Sequence, residues 1–482
     1  MPSQVLSHSL APDDEANPMN WPFHRKIYTS ACAWLFSFSV AFSLTTYTAG
    51  LQQVIAEFHV SMTVGVLAFT IYLMGIAFAP IYTPHVAERV GRSYIYLITI
   101  PINLLFILGA SRSQTIGGLL VCRFFAGFFG GPSLVLIEGT FADIWSAETT
   151  NTYYAFLGAS SYIGAGLGPL IGGFVATNKG WRWTGYVSLM IGLGVWLFGI
   201  GMSETYQREI PRRRARKNGV KLQQPAAQSG VTLSQMFTIT VIHPITQLIT
   251  EPIVLLSTLY LLFNWGVLFQ WFITVPIVLG GNYNFSVERS GVAFVSAIIG
   301  SICAALTSIA IEQFLYRRHK SHSMSGPMPL EYRLIPALIG SLLLPASLFW
   351  AGWSAKPTVH YIAPITATAV YAYASLLTLI SIVPYLFDAF RPDGTLSALT
   401  IAAVMRILLA ASIPLCIVPM VMKLTGAWAL STFGFIGSAF ATMPFALFFF
   451  GEKWRMNSKY APEMMMGGES SKMVGQGEDG DV

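Results

Sequence analysis

Three ionisable side chains interrupt long apolar runs: Arg123 in LLVCRFFAGFFGG, Glu138 in SLVLIEGT and Arg406 in SALTIAAVMR. An arginine at the middle of an apolar helix costs about 2.5 to 3.5 kcal/mol on insertion scales, so Arg123 must face a wet cavity or a partner. Its alternative use is as a clamp on backbone carbonyls. Arg406 sits nearer one end of its run, where its long stem could also snorkel to the surface. Nearly all of the 22 acids fall in tails, loops or rims. Glu138 is the one deep enough to serve as a proton carrier, with an interfacial carboxylate as the alternative. On an unbroken helix it lies about 22 Å from Arg123, too far for direct pairing. Multivalent cations such as polyamines need several carboxylates when desolvated, and few are present. Asn103, Asn264, Trp265 and Gln270 are candidates for lining a cavity that takes a large, weakly polar or anionic organic molecule.

Residues 164 to 173 read GAGLGPLIGG. Each glycine costs a helix about 1 kcal/mol and the proline about 3. In lipid the helix persists regardless, because a broken backbone finds no water there. Gly164, Gly168 and Gly172 recur every four residues, a spacing that lets a second helix approach backbone to backbone. Gly173 and Gly166 widen the bare strip, and Pro169 frees a carbonyl four residues upstream and favours a bend. The apolar run at 115-137, with Gly127 and Gly131 at the same spacing, is a candidate counterpart. Static packing is one use of such a strip, and a bend that moves is the other.

The elements that must position these groups are membrane spans. Of the 482 residues, 54% are hydrophobic and 10% charged, with a mean hydropathy of +0.58, too little polarity to coat a soluble body. Twelve runs of spanning length can be laid along the chain, at 27-47, 62-82, 94-111, 115-137, 152-175 and 183-202, then 252-276, 290-311, 333-353, 359-384, 397-421 and 427-450. The expectation is an all-α integral membrane protein. Its parts are an N-terminal tail at 1-26, a six-helix bundle at 27-202, a basic linker at 203-251, a second bundle at 252-451 and a C-terminal tail at 452-482. The opening segment lacks the charged-then-apolar order of a cleavable signal.

With both tails inside, twenty of the 28 Lys and Arg fall on the cytosolic side and six on the outer side. That bias sets orientation and accounts for the net charge of +6 without nucleic acid. The basic linker, rich in Pro, Gly and Gln, is expected to lack a packed domain and to be able to meet anionic lipid headgroups. Two bundles of six with a long joint is the layout of transporters that rock around a midplane site. The four cysteines lie in spans without ligand spacing, which points away from a metal site or disulfide framework. Asn284 opens a glycosylation sequon, but its loop lies too close to the membrane for modification to be expected. No G-x-x-x-x-G-K-[ST] occurs, which disfavours an ATP-driven pump, and no His, Cys or carboxylate cluster has catalytic spacing, which disfavours an enzyme.

GAGLGPLIGG resembles the span-five antiporter motif of drug:proton antiporters in the major facilitator superfamily, and CRFFAGFFGG resembles that superfamily's span-four motif. The likeness to the fungal twelve-span branch runs along nearly the whole chain, through NPMNWP, EFHVS, GTFADIW, GWRW, ETY, EPIVLLSTLY, PLEYRL and GEKWR. It implies twelve helices in two bundles around a central cavity, no cofactor, a monomer in the plasma membrane, and export of hydrophobic small molecules in exchange for protons. It also implies a coupling role for Arg123 and marks Arg406 as a family arginine. The loop between spans two and three resembles the family's cytosolic gate in Glu88, Gly91 and Arg92, which would latch the two bundles and could pair with Asp143. Pro84 and Ser93 depart from that motif. A proton-independent facilitator or importer, or a non-transporting nutrient sensor of the same fold, remains an alternative.

Overall fold

The computed structural model describes residues 13–145, 150–218, 242–321, 329–390 and 395–458, and their regular structure is helical throughout. In the first half, α1 is Phe23–Thr46, α2 Met62–Val90, α3 Arg92–Arg112, α4 Ile116–Ile144, α5 Thr150–Lys179 and α6 Trp181–Gly199. In the second, α7 is Pro252–Tyr283, α8 Val295–Ser321, α9 Ile335–Ser354 and α10 Ile362–Ala389. A last apolar stretch, Ala403–Met456, has 54 residues. As one rod it would measure about 80 Å, more than twice a bilayer core. Thr425, at φ 70° and ψ 157°, breaks it into α11 (395–424) and α12 (426–456). Twelve rods result. Leu105, Phe314 and Phe449, exposed by 66%, 62% and 71%, belong to the lipid-facing surface.

Within the first half α2 packs on α4 and α1 on α5; within the second α7 packs on α11 and α9 on α10. The halves meet where α2 lies against α11 and α5 against α8. Corresponding positions carry matching ion pairs. Arg92 at the start of α3 bonds Asp143 at the end of α4 (2.8 Å), and Arg333, just before α9, pairs with Asp388 at the end of α10. This repetition is that of two parallel six-helix repeats.

The linker is helical at both ends. Glu209–Asn218 is a helix, and buried Glu209 lies within 4 Å of Arg212, Arg213 and Arg216. His243–Thr250 is a second short helix, lying against α11. Glu209, three and four residues before Arg212 and Arg213, closes i,i+3 and i,i+4 pairs that composition alone does not reveal. The tails beyond 13 and 458 lie outside the described residues.

Candidate functional site

A cavity of about 520 Å³ opens between the halves, walled by α1, α2, α4 and α5 on one side and α7, α10 and α11 on the other. Its surface is mostly apolar, from Leu44, Ile76 and Leu134 to Phe269, Phe272 and Ile380. It runs to Glu88, Arg92, Asp143 and Tyr206, on the face that carries the linker. At depth Tyr162 of α5 and Ser375 of α10 share a hydrogen bond of 2.7 Å across the halves.

Two charged groups stand on opposite walls. Glu138, half-buried, projects from α4 in the first half, and Arg406 from α11 in the second, each within electrostatic reach of the other. Arg406 lies 4.7 Å from the Trp265 ring centroid, and Trp265 in turn meets Phe269 edge-on at 5.4 Å. The Arg406 Nε and Trp265 Nε1 are buried without a hydrogen-bond partner among the described residues. A guanidinium stacked on indole keeps its outer N–H groups free to bond elsewhere.

Arg123 is not part of this wall. It is 7% exposed inside the first bundle, where Nη1 donates to the Ser43 carbonyl at 3.2 Å and the guanidinium stacks 4.3 Å from the Tyr47 centroid. The Ser43 contact is a carbonyl clamp, while the guanidinium also lines a small pocket with Ser111, Thr184 and Ser188, and its Nε has no hydrogen-bond partner among the described residues. Three of the four proposed lining residues are also elsewhere. Asn103 donates to the Ala126 carbonyl at 2.6 Å, tying α3 to α4. Asn264 donates to the Ser375 carbonyl and the Thr378 hydroxyl, tying α7 to α10. Gln270 accepts from Thr274 within α7. All three are nearly inaccessible, and only Trp265 of the four lines the cavity. A polar residue in a span must find a partner, and a neighbouring helix supplies one as readily as a wet wall does.

The glycine strip of α5 serves two neighbours on two faces. A Cβ on Gly164 would sit 2.7 Å from the Phe38 carbonyl oxygen, and one on Gly172 would sit 2.9 Å from that of Thr46; on Gly168 it would run into Thr45 Oγ1. That face is locked to α1 of the same half. Gly166 and Gly173 face the second half, where a Cβ would sit 2.7 Å from Ile298 Cγ1 and 3.0 Å from the Val287 oxygen. The Pro169 carbonyl lies against Gly291 of the short helix Val287–Val292. The expected counterpart in α4 is corrected: Gly127 and Gly131 pack on Tyr72, Ile76 and Ala79 of α2.

The gate loop forms the expected Arg92–Asp143 pair and makes further bonds to its own half and the linker. Gly91 takes φ 87°, open to glycine but not to other residues, and a Cβ there would meet the Glu204 carboxylate. Glu204 accepts from the backbone N–H groups of Arg92 (2.9 Å) and Ser93 (3.2 Å), from the Ser93 hydroxyl (2.7 Å) and from Arg213 (2.6 Å). It therefore caps α3 and binds the linker helix at once. Arg212 donates to the Glu88 carbonyl. Arg92, Gly91 and Ser93 are thus tied to their own half and the linker. Glu204 was absent from the expected site residues, although it opens the ETY stretch that the family resemblance includes.

A model of the Major Facilitator Superfamily matches residues 33–387. The chain is 32% identical over 450 residues to the MFS-type transporter phm3 of Pyrenochaetopsis sp, covering 92% of each chain. To the ascochitine biosynthesis cluster MFS transporter of Didymella fabae it is 31% identical over 472 residues, covering 94% of this chain and 89% of the other. Among solved structures it is similar to the proton:xylose symporter XylE, with a TM-score of 0.63 at 14% identity, covering 90% of this chain and 96% of that one.

Proposed function

Because the chain belongs to the major facilitator superfamily, we propose that it is a secondary active transporter exporting hydrophobic small organic molecules, a drug or secondary metabolite, in exchange for protons. It acts as a monomer in the plasma membrane, with both termini and the linker in the cytosol. The carrying observation is the apolar cavity between the halves, open toward the linker face and spanned by one carboxylate and one guanidinium. A relative named for a biosynthetic cluster supports an exported product as cargo.

Coupling follows from the placement of those two charges. Ionised Glu138 attracts Arg406 across the cavity and favours closing the cytosolic side around a bound molecule. Protonation from outside removes the attraction, and the cytosolic side reopens. The proton can bias the halves only by the difference in its free energy between the two states. Glu138 thereby exchanges a proton for cargo.

The test is efflux of the neutral dye Nile red from yeast lacking its own exporters, together with proton flux in proteoliposomes. Wild type is expected to move dye and protons in opposite directions, and Glu138→Gln to equilibrate dye without concentrating it. Coupled export by the variant would remove Glu138 from the mechanism, and dye movement without proton flux in wild type would make the protein a facilitator.

A further inference from the structure

The charge inventory of the cavity bears on its cargo. The deep wall carries one anion, Glu138, and one cation, Arg406, while the remaining polar lining, including Ser37, Thr45, Thr258 and Tyr162, is neutral. At the mouth Arg92 and Asp143 cancel each other in an ion pair, and Glu88 stands at the exposed rim. Neither Glu138 nor Arg406 forms an ion pair within 4 Å among the described residues, so neither is saturated by the other. A desolvated ionic guest would neutralise one of them and strand the other beside an unbalanced charge. An uncharged guest keeps the pair balanced and can use both ends.

The chemistry of the two ends narrows the guest further. Arg406 offers only N–H donors and ionised Glu138 only acceptors. The wall between them is aliphatic and aromatic.

We propose that the cavity selects an uncharged organic molecule with an apolar body and one polar edge, which presents a hydrogen-bond acceptor to Arg406 and a donor to Glu138. A hydroxyl, enol, amide or hydroxy-ketone edge meets that requirement; a carboxylate or an ammonium does not. Such a guest also bridges the halves, since α4 and α11 belong to different ones, so its binding favours closure. This rests on the transport reading given above, but its selectivity is a property of equilibrium binding and is measurable without any transport.

The experiment is saturation binding to the full chain in nanodiscs at neutral pH, with empty nanodiscs as blanks, using three probes of one body: naphthylethanol, naphthylacetate and naphthylethylammonium. Wild type is expected to bind the alcohol at least about tenfold more tightly than either ion, since each 1.4 kcal/mol of stranded charge is tenfold in affinity. Glu138→Gln, which leaves the cavity cationic, is expected to gain the acetate. Arg406→Gln, which leaves it anionic, is expected to gain the ammonium. The double variant, balanced again, should lose both gains, which separates charge balance from damage to the fold. An ion bound by wild type as tightly as the alcohol, or single variants whose ion preference does not invert, would overturn the proposal. Loss of dye transport with this binding pattern intact would instead count against the export reading alone.

Discussion

Glu204 joins the start of α3 to the linker helix at one carboxylate, capping α3 through Arg92 and Ser93 and binding Arg213. Hydrogen bonds to a charged group are the stronger kind, so Glu204→Gln should lower stability by about 2 kcal/mol, read as earlier thermal unfolding in detergent. Arg213→Gln should reproduce only part of that loss, because the α3 cap remains. An unshifted melting curve in the first variant would show the cap to be dispensable. These links join distant segments, and the sequence offered only Gly91 and the ETY stretch that Glu204 opens. Glu138 was readable because a carboxylate in an apolar run stands out. The misplacement of Asn103, Asn264 and Gln270 has a rotational cause. Each residue turns a helix by about 100°, and a span that is apolar all round gives no pattern showing which way a polar side chain points.

At the scale of the element, α5 shows what spacing reveals and what it conceals. The four-residue recurrence of Gly164, Gly168 and Gly172 indicated a close helix contact but not its partner, which is α1 and not α4. The face toward the second half is the other one, carrying Gly166 and Gly173. The two faces should therefore fail differently. Gly168→Val pushes into Thr45 and the α1 backbone and should yield little folded protein, measured as monodisperse material on size exclusion. Gly166→Val meets the Ile298 side chain, with no backbone atom closer than 3.4 Å, so the protein should fold but transport slowly. Full-speed dye efflux by the Gly166 variant would deny that the α5–α8 contact moves. Helix lengths were less legible. α4 runs on to Ile144, beyond the apolar stretch, because the Arg92–Asp143 pair satisfies its charged end.

For the whole molecule, two halves of six spans were legible from apolar run length and basic-residue placement, because a bilayer imposes both. Which pairs of helices join the halves was not, since those contacts depend on tilt and rotation. Glu138 and Arg406 became a pair only when the fold set α4 and α11 across one cavity. The central claim is that this pair biases the rocking of the halves, and distance measurement between them tests it directly. Spin labels at Val90, at the end of α2, and Tyr316, near the end of α8, both exposed, report on the linker face in a cysteine-free background. Pulsed electron resonance should show a shorter distance population in wild type at neutral pH that shifts to the longer one on acidification. Glu138→Gln should populate both distances in a proportion that no longer changes with pH. A distance distribution that ignores both pH and the substitution would contradict the claim.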